Sequence, residues 1–97
     1  MEKYLYLNSL YDCYGKLLTK KQQMYFEEYY FENLSLSEIS ENDQVSRSAV
    51  SKQLKIVEQK LYEFEEKLKL KQKKEQLYEL LKNEIDDKLL EKIQEII

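Results

Sequence analysis

The chain has 97 residues, a formal net charge of −3, one glycine, no proline and no histidine. Without histidine, with a lone Cys13 and a single Gly15, it lacks the commonest general base, a zinc-ligand set and any glycine-rich phosphate loop. An enzyme, a metal site and a bound cofactor are therefore not expected.

Leu, Lys, Glu, Gln and Tyr dominate and the residues that build β-hairpin turns are scarce, so the predicted fold is all-α. The length suits a single domain over 1–97, divided into a helix-turn-helix core with a long fourth helix (1–70) and a C-terminal helical extension (71–97). Apolar runs are too short to span a bilayer, and the opening residues lack the apolar core of a secretion signal. An unpaired cysteine fits a reducing cytoplasm.

In chain order, the first helix is predicted from about Lys3 to Leu18, with Tyr4, Leu7, Tyr11, Tyr14 and Leu18 on one apolar stripe. Gly15 costs helix stability there, which points to close packing against another helix. Thr19 and Gln22 have capping-box spacing and open a second helix, about Lys20 to Glu32. Its Met24, Tyr25, Phe26, Tyr29, Tyr30 and Phe31 read as core rather than as a base-stacking platform, since no cation lies between Met24 and Asn33.

Leu34 to Lys55 then carries a helix-turn-helix pattern. Ser35 and Glu38 form a second capping box, and Glu41-Asn42-Asp43-Gln44 breaks the helix. Ser46 caps a longer helix that begins at Arg47. The formal charge is −4 over residues 1–45, +3 over 46–60 and −2 over 61–97, so the basic balance falls on this second helix. Its outward face offers Ser48, Lys52, Lys55 and Gln59, with Arg47 and Ser51 towards the edge. Ser46, Arg47, Ser48, Ser51, Lys52 and Lys55 are the candidate DNA contacts, lysines to phosphates or guanine edges and serines to short-range partners.

Val50, Leu54, Val57, Leu61, Phe64 and Leu68 continue along the same helix at alternating steps of four and three, a heptad-like seam. The lysine-rich stretch from Lys69 to Lys74 predicts an exposed segment or a short break. Beyond it, Leu77, Leu80, Leu81, Ile85, Leu89, Leu90, Ile93, Ile96 and Ile97 form an apolar series, carried by one helix or by two divided at Asn83 to Asp87. The seam and this series together exceed what a small core needs, so both are expected to be buried in a homodimer; the alternative is that the C-terminal helices fold back and complete a monomeric core. The expected interface residues are Leu61, Phe64, Leu68, Leu81, Ile85 and Leu89, and such a dimer would read half-sites about one DNA turn apart. Adjacent acids such as Glu27/Glu28 and Asp86/Asp87 read as solvated charges.

Several of these residues recur in a known pattern. Leu7-x-x-Leu10-Tyr11-x-x-Tyr14-Gly15, Leu17-Leu18-Thr19-x-Lys21-Gln22, Tyr29-Tyr30, Leu34-Ser35-Leu36-x-Glu38-Ile39, Val45-Ser46-Arg47-x-Ala49-Val50, and Glu58, Leu61 and Glu65-x-Lys67-Leu68 resemble the YlxM family of small bacterial proteins. The resemblance covers roughly residues 4–70. It implies a three-helix core like region 4 of sigma factors, within the wider winged-helix-like group, and a cytoplasmic DNA-binding regulator. Family genes commonly lie beside those of the signal recognition particle, which implies a link to protein targeting. The alternative it implies is a module that binds the particle's protein or RNA without specific DNA binding. Where the family usually has glycine in the turn, this chain has Gln44, so Gln44 itself, Asn42 or Asp43 must take the left-handed conformation. Lys52 and Gln53 stand where the family usually has acidic or amide residues.

Overall fold

The computed structural model describes residues 2–96, and these form helices and turns with no strand among them. Helix α1 (Glu2–Tyr14) ends in a 3-10 turn, Gly15–Leu17, and α2 (Lys20–Phe26) runs directly into a π-helical turn, Glu27–Phe31. Helices α3 (Leu36–Asp43), α4 (Arg47–Leu68), α5 (Leu70–Leu81) and α6 (Asp87–Ile96) follow. The all-α expectation holds, and the C-terminal series forms two helices. Its last residue, Ile97, lies outside the described residues.

The first helix stops four residues short of Leu18, and Gly15 accounts for the close approach there. A Cβ on Gly15 would sit 3.0 Å from the ring of Tyr11. The neighbour is therefore a side chain of the same helix, not a second helix as expected. With that space empty, the Tyr11 ring lies flat on Phe26, centroids 4.3 Å apart, and Phe26 stacks in turn on Tyr30 at 4.5 Å. The π turn, closed by Glu32 N–H to the Glu27 carbonyl at 2.9 Å, inserts one extra residue and leaves Tyr30 buried while Phe31 faces out. The aromatic helix is core on the Tyr25, Phe26 and Tyr30 side only, and Met24 is exposed.

Helix α4 is the central element. Its Val57 and Leu61 close a cluster with Leu7, Leu10, Tyr14, Leu18, Phe26 and Tyr30. Its Val50 and Leu54 close a second with Tyr25 and Ile39, and Tyr29 packs against both. Each such buried side chain contributes about 1.5–3 kcal/mol relative to exposure. The heptad seam thus faces the chain's own α1, α2 and α3 as far as Leu61, which is fully buried there, and Phe64 packs on the same cluster. Within the chain the apolar faces of α1 and α2 thus cover Leu61, while Phe64 stays half-buried.

At Lys69 the backbone turns left-handed (φ 54°, ψ 32°), and helix geometry resumes at Leu70. The expected break is one residue wide. Tyr14 and Glu65 hold it. The Tyr14 hydroxyl donates to Glu65 Oε1 at 2.5 Å and accepts from Leu70 N–H at 2.9 Å, while Lys71 and Gln72 N–H both donate to the Glu65 carboxylate at 3.1 Å. One carboxylate therefore caps the free amides of α5, where the helix dipole favours negative charge. Burial and this carboxylate push the Tyr14 hydroxyl up to about 12.

Within the single chain the α5–α6 hairpin leaves most of its apolar series uncovered. Among the described residues Leu90 is its one buried hydrophobic, and Leu70, Leu77, Leu80, Leu89 and Ile96 are exposed. The adjacent acids are also not simply solvated. Asp86 caps α6 through Leu89 N–H at 2.7 Å, and Glu27 accepts from the Tyr11 hydroxyl at 3.1 Å. Glu28 is half-buried and pushed up to about 7, first by burial and then by the neighbouring Asp43 carboxyl.

Candidate nucleic-acid interface

The helix-turn-helix is assembled from local hydrogen bonds. Ser35 Oγ accepts from Glu38 N–H at 3.1 Å and the Glu38 carboxylate accepts from Ser35 N–H at 3.0 Å, which starts α3. These bonds also hold the Glu38 carboxyl below its usual value. The matching box of Thr19 and Gln22 starts α2. Ser40 organises the corner. Its carbonyl accepts from Gln44 and Val45 N–H, and its hydroxyl donates to the Val45 carbonyl at 2.5 Å. Gln44 itself takes the left-handed conformation (φ 56°, ψ 44°), and neither Asn42 nor Asp43 does so. Val45 then packs half-buried against the Tyr25–Ile39 cluster and fixes where α4 begins.

The six sequence-predicted contact residues lie on the first turns of α4, but they are not equivalent. Ser46 Oγ accepts from Ala49 N–H at 3.1 Å and lies 3.4 Å from Ser48 Oγ, so its hydroxyl is engaged as the helix cap. Ser51 is half-buried. Arg47, Ser48, Lys52 and Lys55 are exposed, and none of the three cations forms an ion pair among the described residues. Ser48, Lys52 and Lys55 share one outer stripe of α4, opposite the buried Val50, Leu54 and Val57, and Arg47 lies towards its edge at the helix start. No acidic residue occurs in α4 before Glu58, so positive charge accumulates at the helix end whose dipole is also positive.

Sequence reasoning missed Lys3 and Glu58. Lys3, Ser51, Lys55 and Glu58 share a shallow groove with Tyr29 and Leu36, where α1 passes the helix-turn-helix. Glu58 accepts from the Tyr30 hydroxyl and sits 3.6 Å from the Lys3 ammonium, which limits its opposition to an incoming phosphate. No local spacing pointed to Lys3, which reaches α4 only through the packing of α1. Ile56, next to Lys55, is half-buried.

A family model described as "Putative helix-turn-helix protein, YlxM / p13 like" matches residues 1–97. The chain belongs to this family. Three relatives agree with that breadth. A UPF0122 protein of Mycoplasma capricolum is 41% identical, covering 100% of this chain and 90% of the relative. One from Oceanobacillus iheyensis is 49% identical over 84% of this chain and 77% of its own length, and one from a Geobacillus strain is 42% identical over 95% and 83%. The YlxM / p13-like match extends past residue 70, where the sequence pattern alone had faded, and so takes in the α5–α6 hairpin. It is a helix-turn-helix family rather than an enzyme family, and no helix of the described residues is long and apolar enough to cross a membrane.

Proposed function

We propose that the chain is a cytoplasmic DNA-binding regulator that lays the first turns of α4 in the major groove. The observation that carries this reading is the outer stripe of Ser48, Lys52 and Lys55 with Arg47 towards its edge, all exposed and, among the described residues, free of ion pairs, at the N-terminal end of the second helix of a helix-turn-helix. Lys52 and Lys55 meet phosphates or guanine edges, Arg47 grips the backbone at the helix start, and Ser48 makes a short contact. Ser46 contributes as the cap that aims these side chains, and Ser51 through its position beside Lys55. The acidic remainder of the chain disfavours indiscriminate adhesion to DNA. The link to protein targeting rests on the family resemblance, and the competing use of the same helix is binding to the targeting particle's protein or RNA.

Fluorescence-anisotropy titration with duplex DNA at several salt concentrations tests the reading. The expected result for Lys52→Glu with Lys55→Glu is an affinity at least roughly tenfold lower and a log-affinity against log-salt slope flatter by about 2, one for each lost phosphate contact. Circular dichroism should be unchanged, since both side chains are exposed. Equal DNA affinity in the variant would overturn the assignment. Tight, saturable binding to the targeting particle's RNA, with only weak duplex affinity, would favour the competing use.

A further inference from the structure

The −2 charge of residues 61–97 conceals a split. Residues 69–82 carry five lysines against Glu75 and Glu79, a balance of +3, whereas residues 83–96 carry five acids against Lys88 and Lys92, a balance of −3. The two halves lie side by side as the α5–α6 hairpin, with a groove between them lined by Leu77, Leu81, Leu90 and Ile93. On its outer side Leu80 is 71% exposed, Leu89 46% and Ile96 83%.

The molecule as a whole is too open for its mass. Its accessible surface is 7184 Å², where a monomer of 11.9 kDa exposes roughly 5,900 Å². The excess, roughly 1,200 Å², exceeds the ~800 Å² that each partner buries in a standard stable interface. The radius of gyration, 16.2 Å, likewise exceeds the ~12.5 Å of a compact chain of this length. Helices of 12 and 10 residues are also marginal without packing on an apolar face.

We propose that the α5–α6 hairpin is a self-association surface, on which the hairpin of a second copy lies antiparallel to complete a four-helix bundle. A two-fold axis sets the lysine-rich stretch 69–82 of each copy against the acid-rich stretch 83–96 of the other, so one patch serves both sides of an isologous interface. A partner of uniform charge would be repelled by half of the hairpin; a second copy is repelled by neither. The apolar seam of α4 supports the same location, because it leaves the core at Leu68, which is 44% exposed and immediately precedes the hairpin. Leu61 and Phe64 take no part. Of the expected interface residues, Leu68, Leu81, Ile85 and Leu89 remain, joined by Leu80 and Ile96. The inference does not depend on DNA binding.

Sedimentation equilibrium of the full chain at tens of micromolar is the test. The expected mass is twice the 11.9 kDa of one chain, and Leu80→Glu with Leu89→Glu should give monomers. Because the hairpin of that variant can lose helicity, charge swaps supply a second measurement. Lys73→Glu with Lys74→Glu, and separately Glu91→Lys with Glu95→Lys, should each weaken association by roughly tenfold or more, and combining all four should restore it. Lys52→Glu with Lys55→Glu should leave the dimer intact. A monomeric wild type, an unaffected Leu80→Glu/Leu89→Glu dimer, assembly beyond two copies, failure of the combined swap to restore association, or dissociation by the α4 charge reversals would each overturn the proposal.

Discussion

Residues 2–68 and residues 70–96 are both built from amphipathic helices, yet only the first set closes on itself. Every buried hydrophobic residue except Leu90 lies at or before Leu61. The reason is geometric. Helices α1, α2 and α3 surround α4 and cover its seam, whereas the hairpin meets the rest of the chain chiefly where α5 passes α1. Helical periodicity therefore reports which face must be covered, and leaves open whether the cover comes from the same chain or another copy.

The sharpest way to test that contrast is to delete bulk on each side of it. Phe26 is fully buried between the rings of Tyr11 and Tyr30. Phe26→Ala should cost about 3–5 kcal/mol in urea unfolding, by lost transfer energy and the cavity left behind. Leu80→Ala, measured where the chain is monomeric, should change stability by no more than about 0.5 kcal/mol. Comparable costs at the two sites would mean that the hairpin is as well packed as the core.

The next test addresses the joint between the regions. Glu65→Ala removes the acceptor for two α5 amides and for the Tyr14 hydroxyl, which should cost about 2 kcal/mol. Hydrogen exchange should accelerate in α5 and α6 while α2 and α3 keep their protection. Uniform acceleration through all six helices would show that the joint is not a boundary between cooperative units.

What was legible in the sequence follows the range of the interactions. The caps at Thr19, Ser35 and Ser46 were readable because both partners lie within three residues. The stripe of Ser48, Lys52 and Lys55, with Arg47 towards its edge, was readable from charge and the 100° step of a helix. The joint was not, since Tyr14 and Glu65 are 51 positions apart and only the packing of α1 on α4 brings them together. Glu28 and Asp43 were hidden in the same way, one read as a solvated charge and the other as a turn former. The heptad spacing of α4 was seen correctly, and as far as Leu61 it meets helices of the same chain, which the spacing could not tell because a seam looks the same whichever helix it meets.

The Glu28–Asp43 pair makes the helix-turn-helix side of the molecule sensitive to pH near neutrality. Glu28 Oε1 and Asp43 Oδ2 are buried without a hydrogen-bond partner, so a proton held on Glu28 relieves the repulsion, which Glu32 adds to. Its folded value of about 7 lies above the ordinary 4.5. The folded state therefore holds the proton that the unfolded chain releases, and stability contributed below about 4.5 is lost as pH rises through 7. Glu28→Gln should abolish that decline and leave the variant about 1–2 kcal/mol more stable than wild type at alkaline pH, after allowance for solvent screening at a half-buried group. Parallel stability curves for the two proteins across this range would remove the carboxyl pair as the cause.

The smallest expected effect lies in the turn itself. Gln44 occupies a left-handed conformation that costs a side chain with a Cβ about 1–2 kcal/mol and a glycine almost nothing. Glycine regains part of that cost in the unfolded state, where its backbone has more freedom to lose. Gln44→Gly should therefore stabilise the fold by roughly 0.5–1 kcal/mol, read as a raised denaturation midpoint with an unchanged denaturant slope. DNA affinity should not rise with it, because Ser40 already pins the corner through three hydrogen bonds and α4 starts from the same place. A variant that gained stability and lost DNA affinity would instead mean that the strained residue sets the angle at which α4 is presented.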